Sequence, residues 1–247
     1  MADDSMLLTM KGISKTFPGV QALDNVDFSL HRGEIHALLG ENGAGKSTLI
    51  KVLTGVERQN AGVIRLEGQE IQAKTPQHAQ TLGITTVYQE VNLCPNLSVA
   101  ENILLGREPH RLGGIDWRKM NARAGEIMAW LDMDIDVKQS LGMYPVAVQQ
   151  MVAISRALEI SAKVLILDEP TSSLAAHETE KLFAVMRKLK HEGMGVIFIT
   201  HFLDQVYEIS DRITVLRNGR LVGTYETAAL PRVELVARMI GRDLTEL

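Results

Sequence analysis

The chain has 247 residues, 45% of them hydrophobic and 23% charged, with a formal net charge of −4. That is ample length for a packed core, fits one large domain or two small ones, and leaves no domain-wide basic excess to hold a nucleic acid. One cysteine, Cys94, excludes an internal disulfide framework, and no run of about 18 apolar residues is present to span a bilayer as a helix.

A lone cysteine of this kind is expected to be a small buried hydrophobe rather than a functional thiol. The opening residues 1–5 are short and acidic and lack the basic start and apolar run of a signal peptide. The expectation is a soluble chain that partners would have to hold at any membrane where it works.

In chain order, residues 7–30 alternate apolar and polar positions around a break at Gly19, which predicts short antiparallel strands. Ile35-His36-Ala37-Leu38-Leu39 is a short apolar run ending at Gly40, as suits a buried strand. Residues 46–54 have helical character and stop at Gly55. Residues 63–71 read as a hairpin with Glu67-Gly68 at its turn. Between residues 92 and 162 the pattern becomes helical: Met120, Ala124, Ile127 and Leu131 share one face, as do Met151, Ile154 and Leu158. Within that block, residues 107–114 hold Pro109, Gly113 and Gly114 and predict an exposed loop. Strands resume at Val164-Leu165-Ile166-Leu167 and Gly195-Val196-Ile197-Phe198-Ile199, continuous apolar runs of the kind covered on both faces of a parallel sheet. Leu182, Val185, Met186 and Leu189 mark an amphipathic helix between them, ending at Gly193. Residues 212–225 predict a hairpin turning at Asn218-Gly219, and a last helix runs from Pro231 to Gly241.

The chemistry concentrates at four strand ends. Gly40-Glu41-Asn42-Gly43-Ala44-Gly45-Lys46-Ser47-Thr48 fits G-x-x-x-x-G-K-[ST], set between a strand and a helix. Its glycines let successive N–H groups face one centre, and the helix start adds its donors and positive dipole end. Lys46 can reach β- and γ-phosphates, and the Ser47 hydroxyl can ligate Mg²⁺. Leu167-Asp168-Glu169-Pro170 ends an apolar strand, where ligands of parallel sheets bind; Asp168 can hold Mg²⁺ through water and Glu169 can polarise an attacking water. His201 follows the 195–199 strand, and Gln89 follows Ile84-Thr85-Thr86-Val87-Tyr88, so both stand at the same kind of strand end. By itself, a strand-end histidine is more often structural, and either residue alone is weak evidence.

The order Phe17, Gly40 to Thr48, Gln89, Leu167 to Pro170 and His201 resembles the ATP-binding-cassette (ABC) ATPases, over nearly the whole chain. The resemblance implies an α/β fold: a P-loop NTPase-like, mostly parallel sheet with an N-terminal antiparallel β subdomain and an inserted α-helical subdomain. Residues 1–91 and 162–247 would form the core, and residues 92–161 the helical insertion that docks on a membrane partner. It further implies that Phe17 stacks on adenine, that Gln89 belongs to the Q-loop and joins Ser47 and Asp168 at the metal, that Glu169 is the catalytic glutamate, and that His201 is the switch histidine. ATP and Mg²⁺ are the ligands it implies. Ala37-Leu38-Leu39-Gly40-Glu41-Asn42-Gly43, Val87-Tyr88-Gln89-Glu90 and Thr200-His201-Phe202-Leu203 are similar to monosaccharide-importer ATPases. Phe17-Pro18-Gly19-Val20 and the stretch from Phe202 to Tyr207 resemble the galactofuranose-importer branch. The implied partners are a second cassette, permease subunits and, indirectly, a periplasmic sugar-binding protein; the implied location is the inner face of the cell membrane.

Two motifs depart from the family pattern. The usual L-S-G-G-Q signature becomes Tyr144-Pro145-Val146-Ala147-Val148-Gln149-Gln150. Proline lacks an N–H, and β-carbons crowd the approach to a phosphate, so this surface is expected to bind phosphate poorly. The usual S-x-L-D becomes Ser172-Ser173-Leu174-Ala175, without the aspartate. First halves of tandem sugar-importer ATPases resemble this pattern, with the missing signature supplied by a second cassette. A GTPase would need an N-K-x-D guanine reader, which is lacking. ABC-type ATPases of ribosomes or DNA usually carry good signatures and basic patches. A module that binds ATP without hydrolysing it is the remaining alternative.

Overall fold

The computed structural model describes residues 5–87 and 93–241. Two sheets organise the chain. The first is antiparallel, in the order β2-β1-β4-β5, built from β1 (Met6–Phe17), β2 (Val20–His31), β4 (Ala61–Leu66) and β5 (Gln69–Ile71). The 7–30 segment forms two 12-residue strands rather than several short ones; register shifts along their pairing let the ribbon coil without breaking. The β4–β5 turn falls at Glu67-Gly68, both at positive φ (51° and 77°), as a two-residue hairpin requires.

The second sheet has the order β12-β11-β3-β10-β9-β6, comprising β3 (Ile35–Leu39), β6 (Ile84–Val87), β9 (Val164–Asp168), β10 (Gly195–Ile199), β11 (Arg212–Arg217) and β12 (Arg220–Glu226). All neighbours pair parallel except β12, which returns antiparallel beside β11. Successive side chains alternate between faces. Leu165, Leu167, Val196 and Phe198 pack on the helical side, whereas Val164, Ile166, Ile197 and Ile199 pack toward the antiparallel sheet and α1 (Lys46–Leu53). The strands read as unbroken apolar runs because both faces are covered.

The helical side carries α3 (Val99–Leu104), α4 (Trp117–Trp130), α5 (Val146–Glu159) and α6 (Ala176–His191), following the short α2 (Pro76–Thr81). Met120, Ala124, Ile127 and Leu131 are buried together, as are Met151 and Ile154, with Leu158 packed against the same cluster. Helix α3 begins with a reciprocal cap: Ser98 Oγ accepts the Glu101 N–H, and the Glu101 carboxylate accepts the Ser98 N–H at 2.8 Å. The expected loop at residues 107–114 instead holds a small exposed hairpin, β7 (His110–Arg111) and β8 (Gly114–Ile115), because Leu112 and Gly113 at positive φ close a two-residue turn. Cys94 is exposed, contrary to the burial expected for it. Helices α7 (Leu203–Ile209) and α8 (Arg232–Ile240, ended by Gly241 at φ 75°) cover β3 and β11. No helix among the described residues is long and apolar enough to cross a membrane.

Candidate functional site

Strands β3, β10 and β9 are consecutive and parallel, so the segments leaving their carboxyl ends emerge at one edge of the sheet. From β3 comes the loop 40–46, from β9 the Asp168-Glu169 pair, and from β10 Thr200-His201. Register makes this concrete: Ile199 pairs with Asp168, and Phe198 with both Leu167 and Ala37.

The loop is held open by its backbone. Gly43 and Gly45 lie at φ 82° and 106°, conformations that residues with a β-carbon avoid. Gly45 caps α1 without a side-chain acceptor, so no capping oxygen takes up the first-turn N–H groups. Gly45 lies against Ala22 and Leu23 of β2 and against Gly219. The Asn218-Gly219 turn of the β11–β12 hairpin braces the loop from behind: Gly219 N–H donates to the Ala44 carbonyl at 3.0 Å, and the Gly219 carbonyl accepts the Asp24 N–H at 2.8 Å. The sequence marks this turn but not its place.

Lys46 folds back over the loop, donating to the Gly40 and Glu41 carbonyls at 2.6 and 3.1 Å. Burial lowers its pKa, against the opposing pull of Asp168 and Glu169. Burial and the neighbouring Glu169 charge raise the Asp168 carboxyl, with Lys46 acting against them. Glu169 adopts a left-handed φ of 50°, uncommon for a residue with a β-carbon. Its N–H is tied to the Ile199 carbonyl at 2.9 Å, and its carboxylate lies 3.3 Å from His201 Nδ1.

A cleft of about 510 Å³ runs from the loop to Phe17, lined also by Val20, Ala22, Asn42, Ser47, Thr48 and Asn218. Phe17 ends β1 with the Lys15 ammonium 4.9 Å from its ring centroid. The structure therefore brings Phe17 and residues 42–48 to one cleft, and Lys46, Asp168, Glu169 and His201 to one charged cluster; Gly40 and Glu41 serve as carbonyl acceptors for Lys46. Gln89 lies outside the described residues, though β6 before it pairs Val87 with Leu167.

The two departing motifs are helix starts. Pro145 caps α5 with its carbonyl, which accepts the N–H groups of Val148 and Gln149 at 3.0 and 3.1 Å, while Val146 is half-exposed beside it. Ala175 caps α6 with no side-chain acceptor; the Glu178 carboxylate takes its N–H at 2.8 Å.

A family model described as ABC transporter matches residues 23–172, which include both the phosphate loop and the Asp168-Glu169 pair. The chain belongs to the ABC transporter family. This ABC chain is 61% identical over 238 residues to the galactofuranose transporter ATP-binding protein of Escherichia coli, covering 96% of the chain and 48% of that protein. It is 53% identical to the fructose import ATP-binding protein of Bifidobacterium longum, covering 100% and 48%, and 49% identical to a ribose import ATP-binding protein of Streptomyces avermitilis, covering 100% and 47%. The chain thus spans about half the length of the curated relatives it matches. Among solved structures, an ABC-transporter ATP-binding cassette in its ADP conformation matches with a TM-score of 0.82 at 26% identity, over 98% of this chain and 97% of that one. A nucleotide-free cassette matches at 0.80 and 27%, over 90% and 91%. The expected α/β cassette fold is borne out.

Proposed function

We propose that this ABC chain binds and hydrolyses ATP as the first cassette of a monosaccharide importer, working from the inner face of the membrane on permease subunits. The observation that carries the reading is the meeting of the phosphate loop, Asp168, Glu169 and His201 at one sheet edge, with Phe17 across the adjoining cleft. In this reading the adenine ring stacks on Phe17 and the phosphates sit on the N–H groups of residues 43–48 at the start of α1. Lys46 exchanges its carbonyl partners for phosphate oxygens. Glu169 orients water in line with the terminal phosphoryl group, and His201, 3.3 Å from it, steadies that carboxylate and the charge that develops.

The donor set fits Mg²⁺. The Ser47 hydroxyl and Asp168 carboxylate are hard oxygen ligands, few enough to leave places for water and phosphate, and Asp168 sits partly buried beside a second carboxylate whose charge a dication would offset. Bound there with Gln89, the ion would neutralise phosphate charge.

The α5 start offers Pro145, Val146 and Ala147 where a phosphate would need open N–H groups, and Ala175 brings no carboxylate to the D-loop. These features favour a composite site whose signature a second cassette supplies; the sugar is delivered by a periplasmic binding protein. Hydrolysis is measured for the chain alone and with a second cassette bearing an intact signature. Stimulation by that cassette, abolished by Glu169→Gln, is the expected result. Cooperative hydrolysis by the isolated chain equal to that of the pair would sink the composite site. The same two substitutions of the family pattern support a second reading, an ATP-binding module with little hydrolysis that serves assembly or regulation. Single-turnover rates unchanged by Glu169→Gln would favour it.

A further inference from the structure

We infer that Gln205 is a positioning residue for hydrolysis: its side-chain amide, through Thr171 and Thr200, fixes the spacing between Glu169 and His201. The inference rests on the proposal that these two residues act on ATP and its attacking water. Glu169 and His201 leave different strands, and neither is rigid by itself. His201 is largely exposed, and Glu169 holds an uncommon left-handed φ that its surroundings must over-determine. One tie lies before the pair, the Glu169 N–H to the Ile199 carbonyl at 2.9 Å. The second lies after it. Thr171 Oγ1 donates to Gln205 Oε1 at 2.7 Å, bonding the segment beyond Glu169-Pro170 to α7, the helix that follows His201.

The same amide oxygen extends the tie to the His201 segment. Thr200 Oγ1 lies 3.5 Å from Gln205 Oε1 and accepts the Phe202 N–H at 3.2 Å. The residues on both sides of His201 are therefore joined to the amide that holds Thr171. Both threonines are 4% exposed. The one amide oxygen accepts from both hydroxyls, so losing it unties the two segments and lets them shift. On the other strand, Ser172 Oγ donates to the Glu169 carbonyl at 3.1 Å, so movement at Thr171 passes through Pro170 to Glu169 with little slack.

A displacement near 1 Å of a positioned group can cost on the order of a hundredfold in rate. Gln205→Leu keeps the size and removes the acceptor. With the full chain and a signature-bearing second cassette in molar excess over terminally labelled ATP, this variant should lower the single-turnover rate roughly tenfold or more. Its Kd for ATP should stay within about twofold, because Gln205, Thr171 and Thr200 do not line the cleft between the loop and Phe17. Gln205→Glu, which still accepts from both hydroxyls, should recover most of the rate. Thr171→Val tests the same bond if Gln205→Leu fails to fold. A wild-type rate in Gln205→Leu, or a parallel loss of rate, ATP affinity and thermal stability that Gln205→Glu does not relieve, overturns the inference. Wild-type and Glu169→Gln rates measured in the same series separate the two claims: equal rates there strike at the proposed role of Glu169, whereas unequal rates with an inert Gln205→Leu strike at Gln205 alone.

Discussion

Gly45→Ala tests the loop most directly, because the site of insertion is measurable. At φ 106° an alanine is strained, at a cost of about 1–3 kcal/mol. Its β-carbon would stand 2.9 Å from the Ala22 carbonyl oxygen, 2.9 Å from Leu23 Cδ2 and 3.4 Å from the Gly219 α-carbon. The leucine methyl can rotate away. The carbonyl belongs to the backbone of β2, and Gly219 is bonded to both Ala44 and Asp24, so neither yields without loss. Overpacking of this kind adds about 1–3 kcal/mol. The total, about 2–6 kcal/mol, must appear in one of two places. If the loop keeps its shape, the protein unfolds at lower urea; if the loop relaxes, its N–H groups turn from their common centre and ATP binds more weakly. A loss of about 2 kcal/mol in binding is roughly a thirtyfold rise in Kd. Urea unfolding and titration with a fluorescent ATP analogue, made on the same variant, read both. Stability and Kd each unchanged within about 0.5 kcal/mol would refute the reasoning.

The buried Glu34 gives a pH prediction. Burial by itself would raise its carboxyl, but hydrogen bonds with His36 and Arg212 outweigh it and lower the pKa from 4.5 to about 2. A depressed acid contributes stability that is fully present above about pH 4.5 and lost as pH falls toward 2, about 3 kcal/mol for a shift of this size. Glu34→Gln should flatten the acid limb of thermal stability below pH 4.5, and superposable limbs would count against it. Phe198→Ala removes a fully buried ring that meets Phe183 edge-on, and should cost about 3–5 kcal/mol in urea unfolding; a loss below about 1 kcal/mol would contradict that packing. Ser98→Ala breaks one half of the α3 cap and should cost about 1 kcal/mol, checked by the same method.

Much of the fold is legible where period and punctuation are strong. The strands at 35–39, 164–168 and 195–199 and the helix ended by Gly241 fall where apolar runs and glycines place them. Helix α3 lies within the 92–162 block that reads as helical, but its six residues give too short a period to mark its bounds; only the Ser98-x-x-Glu101 cap does so. The 107–114 hairpin hid behind its proline and glycines. Other features leave no local trace. That β11 adds to β3, so that its turn at Asn218-Gly219 backs the phosphate loop, depends on pairing between strands more than 170 residues apart.

The sequence by itself determined the glycine-rich loop, the order of the strand-end residues, and the departure of the Pro145 and Ala175 stretches from the family pattern. Those depend on residue types over a few positions: glycines that permit positive φ, a proline without an N–H, an alanine without a carboxylate. Tertiary structure alone decided that β10 lies between β3 and β9, that Glu169 comes within 3.3 Å of His201, and that Gln205 ties the segments carrying them. Those facts come from non-local strand pairing and from buried donors finding acceptors, which no window along the chain contains.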